Sequence, residues 1–237
     1  MIRPASPAVG ALFDVGYGLM DESARLAHAL AWLAGRLGAA GRPVSPAVLH
    51  DAYRAACRDP NPGEPSPLLQ MLQGLGVEAT QRATLRAALP WDAVPLEPYS
   101  TAAPALRDLR AAGFRVGILA NQPASARVDL DRAGLTALCD GVWLSAVVGR
   151  AKPDPAFFTM ALAAWGLPAD RVAYVGDRPD NDVAPARALG LLTVRVLTGP
   201  HAAQPTRGDA ERPDREVADL AEAVAELHRW RAGLPEV

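Results

Sequence analysis

Ala8-Val9-Gly10-Ala11-Leu12-Phe13-Asp14-Val15-Gly16-Tyr17-Gly18-Leu19 is the stretch whose reading decides the fold. Six small or apolar residues run up to a carboxylate, and a glycine-rich turn follows at once. The run reads as a buried strand. A buried strand that ends in Asp and then bends sharply can present that carboxylate at the carboxyl edge of a parallel sheet, a common place for a nucleophile or a metal ligand. Taken alone, Asp14 is better read as a strand-end Asp capping its own turn. The segments downstream shift that balance.

Strand and helix patterns alternate after residue 100. Residues 101–112 read as an amphipathic helix with Ala105, Leu106 and Leu109 on one face, ended by Gly113. An apolar strand is expected at 114–119, a helix at 125–133 stopped by Gly134, and a strand at 141–145. A helix with Pro155 in its first turn covers 155–165. A strand at 172–175, a helix at 182–189 ended by Gly190 and a strand at 192–196 follow. A polar, Pro-containing loop spans 199–213, and an amphipathic helix closes at 219–231. Strand–helix units with short connections predict an α/β fold: a Rossmann-like parallel sheet with helices on both faces.

The stretch from 21 to 95 holds helical patterns only, at 22–37, 46–58, 66–75 and 79–89. Pro and Gly clusters such as Asp59-Pro60-Asn61-Pro62-Gly63-Glu64-Pro65 separate them. It is expected to be an all-helical insert overhanging the carboxyl edge of the sheet. The predicted organisation is an α/β core over 1–20 and 96–237 and a helical cap over 21–95.

Composition bounds the function. The chain has 237 residues, enough for one large domain or a core with a small satellite. Half of the residues are hydrophobic, and the formal net charge is -2, with 24 basic and 26 acidic residues. That near balance gives no electrostatic reason to expect nucleic acid or an anionic membrane as partner. Two distant cysteines, Cys57 and Cys139, make neither a disulfide framework nor a metal spacing, and read as small hydrophobes in a reducing cytosol. No apolar run approaches the ~20 residues needed to span a bilayer, so a soluble, cytoplasmic protein is expected. Arginine far outnumbers lysine, and Lys152 is the only lysine in the chain.

Three later segments answer Asp14. Lys152 lies in Gly149-Arg150-Ala151-Lys152-Pro153-Asp154-Pro155, just before a helix. A lysine there can neutralise a phosphate and hold a nucleophilic carboxylate ionised. Asp177 and Asp182 follow the strand at 172–175 through Gly176. Carboxylates at the mouth of a sheet beside Asp14 can build a hard oxygen site suited to Mg²⁺. The plainer reading of Asp182 is a helix N-cap. Asn121 ends its own strand, Ile118-Leu119-Ala120, and its amide and neighbouring N–H groups can hold phosphate oxygens. The four histidines fall in no motif, and Trp32, Trp165 and Trp230 fit helix packing.

In order and spacing, the segments at Asp14, Asn121, Lys152 and Asp177–Asp182 resemble the four motifs of the haloacid dehalogenase superfamily, made up mostly of magnesium-dependent phosphatases. The resemblance covers nearly the whole chain, and the helical insert resembles the family's first cap type. It implies that Asp14 is the nucleophile that becomes an aspartyl-phosphate. It further implies that Lys152 and Asn121 contact substrate, that Asp14, the Gly16 carbonyl and Asp177 hold Mg²⁺, and that Asp182 supports them. The chain departs from the pattern at three places. Gly16 stands where the family has its acid–base Asp, Gly18 where it has Thr, and Ala120 where it has Ser or Thr. Positioned proton transfer is worth about 10²–10⁴-fold, so weakened acid–base chemistry is expected.

Three readings follow. The first is a Mg²⁺-dependent phosphatase of a small phosphorylated metabolite, monomeric or homodimeric. The second is a protein that keeps the fold and binds or regulates without turnover. The third is a metal-independent 2-haloacid dehalogenase; that branch places Tyr at the Gly16 position, whereas here Tyr17 comes one residue late.

Overall fold

The computed structural model describes residues 9–61 and 66–233. Strands β1 (Val9–Phe13) and β2 (Met20–Asp21) are followed by four helices: α1 (Ser23–Ala39), α2 (Pro46–Arg58), α3 (Pro67–Gly74) and α4 (Ala79–Ala88). After β3 (Glu97–Pro98) come α5 (Ala102–Ala111), β4 (Phe114–Ala120), α6 (Ala126–Arg132) and β5 (Gly141–Leu144). Helices α7 (Ser145–Val148) and α8 (Pro155–Trp165) precede β6 (Val172–Gly176). A π-helical turn, Pro179–Val183, leads into α9 (Ala184–Ala188), and β7 (Leu192–Val196), β8 (Arg215–Val217) and α10 (Leu220–Ala232) complete the chain. No described helix is long and apolar enough to cross a membrane.

Contacts divide the chain into two compact units, one of residues 1–21, 97–198 and 206–237 and one of 22–96 and 199–205. The first holds a six-stranded sheet in the order β5-β4-β1-β6-β7-β8, with every pairing parallel. This is the doubly wound, Rossmann-like α/β core. Strand β1 is buried on both faces, as its unbroken apolar run requires. The chain leaves β1 toward β4 and β5 on one side, then returns to the other side for β6, β7 and β8. A crevice forms beyond the carboxyl ends of strands where the order reverses in this way. The register sets three loop tips side by side there: Phe13 lies opposite both Ile118 of β4 and Val175 of β6. Asp14, Asn121 and Asp177 therefore emerge at one edge within a residue or two of register.

One face of the sheet packs on α8 through Leu12, Leu119, Tyr174, Phe157, Phe158 and Trp165. The indole of Trp165 lies so close to the sheet that a Cβ on Gly10 would sit 2.6 Å from it, and one on Gly117 2.7 Å. The Cβ on Gly117 would also sit 3.1 Å from the Gly141 carbonyl, so the neighbour on that side is backbone and cannot turn away. Gly117→Ala is expected to cost about 1–3 kcal/mol by overpacking. A urea titration that left the unfolding free energy within about 0.5 kcal/mol of the parent would argue against that close approach.

The second unit is built on the apolar stripe of α1, where Leu26, Ala29, Leu30, Leu33 and Leu37 recur at helical spacing and are buried. They meet Leu49 and Ala56 of α2, Leu68, Met71 and Leu72 of α3, and Leu85 of α4. Ser45 and Ser66 begin α2 and α3 by accepting from Val48 and Leu69 N–H, each followed by Pro at the first helical position.

Most predicted elements match the observed ones to within a residue or two. The exceptions are short. Strand β8 pairs with the edge of β7 in the stretch between the expected loop and the last helix. Strands β2 and β3 form a two-residue antiparallel ladder, Met20 with Pro98 and Asp21 with Glu97. The helix expected from 182 begins as the π-helical turn at Pro179.

Candidate active site

Asp14 continues the β1 ladder by one bond, its N–H donating to the Val175 carbonyl at 2.9 Å. The chain then turns tightly. Leu19 and Met20 N–H both reach the Val15 carbonyl, and Tyr17 N–H reaches that of Met20. Tyr17 takes the left-handed conformation, φ 55°, which is rare for a bulky side chain. The hydroxyl of Thr198 donates to the Tyr17 carbonyl at 2.6 Å and holds the turn. Gly16 is bridged to Met20 by bonds that use neither its N–H nor its carbonyl, and no backbone N–H among the described residues donates to that carbonyl.

Lys152 is the centre of the site. Its side chain is 1% exposed, and its ammonium meets three acceptors: Asp14 Oδ1 at 2.8 Å, Asp182 Oδ1 at 2.6 Å and the Tyr174 hydroxyl at 2.8 Å. An ammonium has three N–H donors, so all are used. The Tyr174 hydroxyl passes its own proton on to the Leu119 carbonyl at 2.8 Å. Burial disfavours the charged lysine, but Asp14 and Asp182 outweigh it and lift its pKa. Burial and the three nearby carboxylates hold the Tyr174 phenol well above its usual range, so it stays neutral.

The main chain of Lys152 is fixed as tightly as its side chain. Asn121 Nδ2 donates to the Lys152 carbonyl at 2.8 Å, and Asn121 Oδ1 accepts from Lys152 N–H at 2.8 Å. The asparagine expected to face phosphate thus spends its oxygen and one N–H as a two-point clamp on the loop that carries the lysine.

Asp182 is fully buried. Oδ1 takes the lysine, and Oδ2 accepts from the N–H groups of Asp177 and Arg178 at 3.1 and 3.0 Å. The wider coil of the π-helical turn carries the carboxylate back over the end of β6. Only glycine can lie beneath it: a Cβ on Gly176 would be 2.5 Å from Asp182 Oδ2. Asp182 therefore braces the lysine and the Asp177 loop together.

Asp177, also buried, is different: no hydrogen bond among the described residues engages its carboxylate. Burial, then the charges of Asp182 and Asp14, push it well above the usual carboxylate range. Burial raises Asp14 as well, against the pull of Lys152. Carboxylate oxygens of Asp14, Asp177 and Asp182 all lie within 4.8 Å of one another. Three carboxylates against one ammonium leave an excess of negative charge that a dication would balance. Asp182 already accepts three bonds, so Asp14 and Asp177 are the less committed carboxylates, and oxygen donors of this kind fit a hard cation.

The structure thus brings Asp14, Lys152, Asp177 and Asp182 together, with Asn121 one bond removed. Sequence reasoning missed Tyr174. The signal was a single hydroxyl in an otherwise apolar inner strand, three residues before Asp177. Neither cysteine takes part: Cys57 is buried in the helical unit, and burial followed by the charge of Asp140 pushes the Cys139 thiol up to about 12.

The sequence matches the family described as haloacid dehalogenase-like hydrolase over residues 26–190. It is 35% identical over 130 residues to the glyceraldehyde 3-phosphate phosphatase of Methanocaldococcus jannaschii, covering 54% of this chain and 56% of that protein. It is 38% identical over 129 residues to the phosphoserine phosphatase of Thermus thermophilus, covering 54% and 49%. The chain spans about half the length of the curated relatives it matches. A crystal structure of a predicted phosphoglycolate phosphatase from Haemophilus somnus superposes with a TM-score of 0.70 at 18% identity, over 93% of this chain and 98% of that one. At that identity the likeness is one of fold.

Proposed function

The chain belongs to the haloacid dehalogenase-like hydrolases, and from that membership we propose that it is a magnesium-dependent phosphatase of a small phosphorylated metabolite, acting through a phosphoaspartate on Asp14. The observation that carries this reading is the buried ammonium of Lys152, 2.8 Å from Asp14 Oδ1 at the carboxyl edge of the sheet. It favours the ionised carboxylate and fixes its orientation, which leaves Oδ2 as the attacking oxygen. The phosphatase names of the relatives support phosphate as the group transferred.

Asp14 Oδ2 bonds to phosphorus, the bond from phosphorus to the leaving oxygen breaks, and the leaving group takes the electron pair. Water then attacks the same phosphorus, the bond to Asp14 breaks, and phosphate departs. Asp14, Asp177 and the Gly16 carbonyl would hold Mg²⁺, which when bound neutralises charge on phosphoryl oxygens. Asp182 holds Lys152 in line rather than meeting the ion, because both of its oxygens already accept bonds. Lys152 reaches a phosphoryl oxygen only by exchanging one of its three present partners. Gly16, Gly18 and Ala120 offer no side-chain donor, and these positions favour the second reading, a binding or regulatory protein with little turnover.

Purified protein is offered p-nitrophenyl phosphate, a panel of sugar phosphates and L-2-chloropropionate, with Mg²⁺ or with EDTA. Phosphate release that EDTA abolishes is the expected result. Chloride release indifferent to EDTA would replace this reading with a dehalogenase. Silence on every substrate, with Mg²⁺ binding by calorimetry, would leave the binding protein.

A further inference from the structure

Resting on the phosphatase reading above, we infer that the site selects substrates whose leaving group departs as a stable anion, acyl phosphates above all, over phosphate esters of ordinary alcohols. The inference comes from a census of protons around Asp14 in the sheet unit. The three protons of Lys152 go to Asp14, Asp182 and Tyr174. The one proton of Tyr174 goes to the Leu119 carbonyl. Both oxygens of Asp182 accept. Asp177 and the Gly16 carbonyl are the donors left for the cation. At the positions where the sequence departs from the family pattern, Gly16 and Gly18 on the turn and Ala120 at the end of β4, there is no side-chain proton to give. The site is thus rich in charge stabilisation and, among these residues, has no uncommitted acid.

An alcohol leaves phosphorus easily only if its oxygen is protonated as the bond breaks, and positioned protonation is worth about 10²–10⁴-fold. A carboxylate needs no such help. With an acyl phosphate, Asp14 Oδ2 forms its bond to phosphorus while the bond from phosphorus to the acyl oxygen breaks, and the electron pair leaves on the carboxylate product. No proton moves in that step. The bond broken and the bond made are both phosphorus–carboxylate bonds, so the phosphoryl group passes between like partners at little cost. Water then adds to phosphorus, the Asp14–phosphorus bond breaks, and the group leaves as H₂PO₄⁻, retaining both protons of the water.

The test compares kcat/KM for acetyl phosphate, glycerol 3-phosphate and glucose 6-phosphate with Mg²⁺ present, on the parent protein and on Gly16→Asp. The expected result is a preference for acetyl phosphate of about 10³-fold or more in the parent. Gly16→Asp, which sets a carboxyl two residues from the nucleophile, is expected to raise the two alcohol esters by more than it changes acetyl phosphate. Parent activity on the alcohol esters within tenfold of acetyl phosphate would overturn this inference and leave the phosphatase reading intact. Phosphate release from none of the three would overturn both. Should Gly16→Asp fail to fold, the parent comparison decides by itself.

Discussion

Asp14→Asn is expected to abolish phosphate release, by about 10⁴-fold or more in kcat/KM, while leaving the protein at least as stable as its parent. The two halves of that result have one cause. The amide keeps the shape of the carboxylate but is not a nucleophile, and it takes away one of the charged oxygens available to a cation. It also removes one of three carboxylates crowded within 4.8 Å, and with it the burial cost of charging Asp14 and its repulsion of Asp177. Lys152 keeps Asp182 as its ionic partner. Kinetics on p-nitrophenyl phosphate and a thermal melt without metal suffice. A variant that lost activity only in proportion to a lowered melting temperature would mark Asp14 as a structural residue instead.

Asp182→Ala is expected to act first on stability. Asp182 lies 2.6 Å from the same ammonium, yet its task is cohesion. Truncation strands a buried lysine with one carboxylate fewer and leaves the N–H groups of Asp177 and Arg178 without their acceptor. Breaking a buried pair from one side costs about 3–5 kcal/mol, a fall in melting temperature on the order of 10 °C for a chain of this size. Activity should fall as well, since Lys152 and the Asp177 loop lose their common brace. A melting temperature within 2 °C of the parent would show that the site does not depend on this carboxylate.

The fold was legible wherever burial wrote itself into sequence. Strands β1, β4, β6 and β7 are inner strands; β1 and β6 carry no charged residue, and β4 and β7 are buried at all but one position each, so their ends stand out. Helices α2 and α8 begin with Pro after a capping Ser or Asp, and both were placed at their observed bounds. Strand β8 escaped because an edge strand buries little: of Arg215, Glu216 and Val217, only Val217 is buried. The π-helical turn escaped because Pro179-Asp180-Asn181-Asp182 carries the residues of any turn. In the site, Asp14, Lys152, Asp177 and Asp182 were named because charge at a strand end or loop tip is conspicuous in sequence. Asn121 was named for a different task, since its partner is a main-chain group 31 positions away. Tyr174 was absorbed into its strand, where ring packing against Phe158, centroids 5.0 Å apart, accounts for a buried aromatic without regard to its hydroxyl.

Lys152 is the chain's single lysine, and it lies under the floor of the site. Material grown on ¹⁵N-lysine therefore carries one side-chain ammonium resonance, and that resonance reports the nucleophile's neighbourhood without any assignment experiment. Lysine-directed reagents find the chain's one lysine side chain buried in the folded protein, so a reagent that does modify Lys152 becomes a direct reporter of local opening at the site.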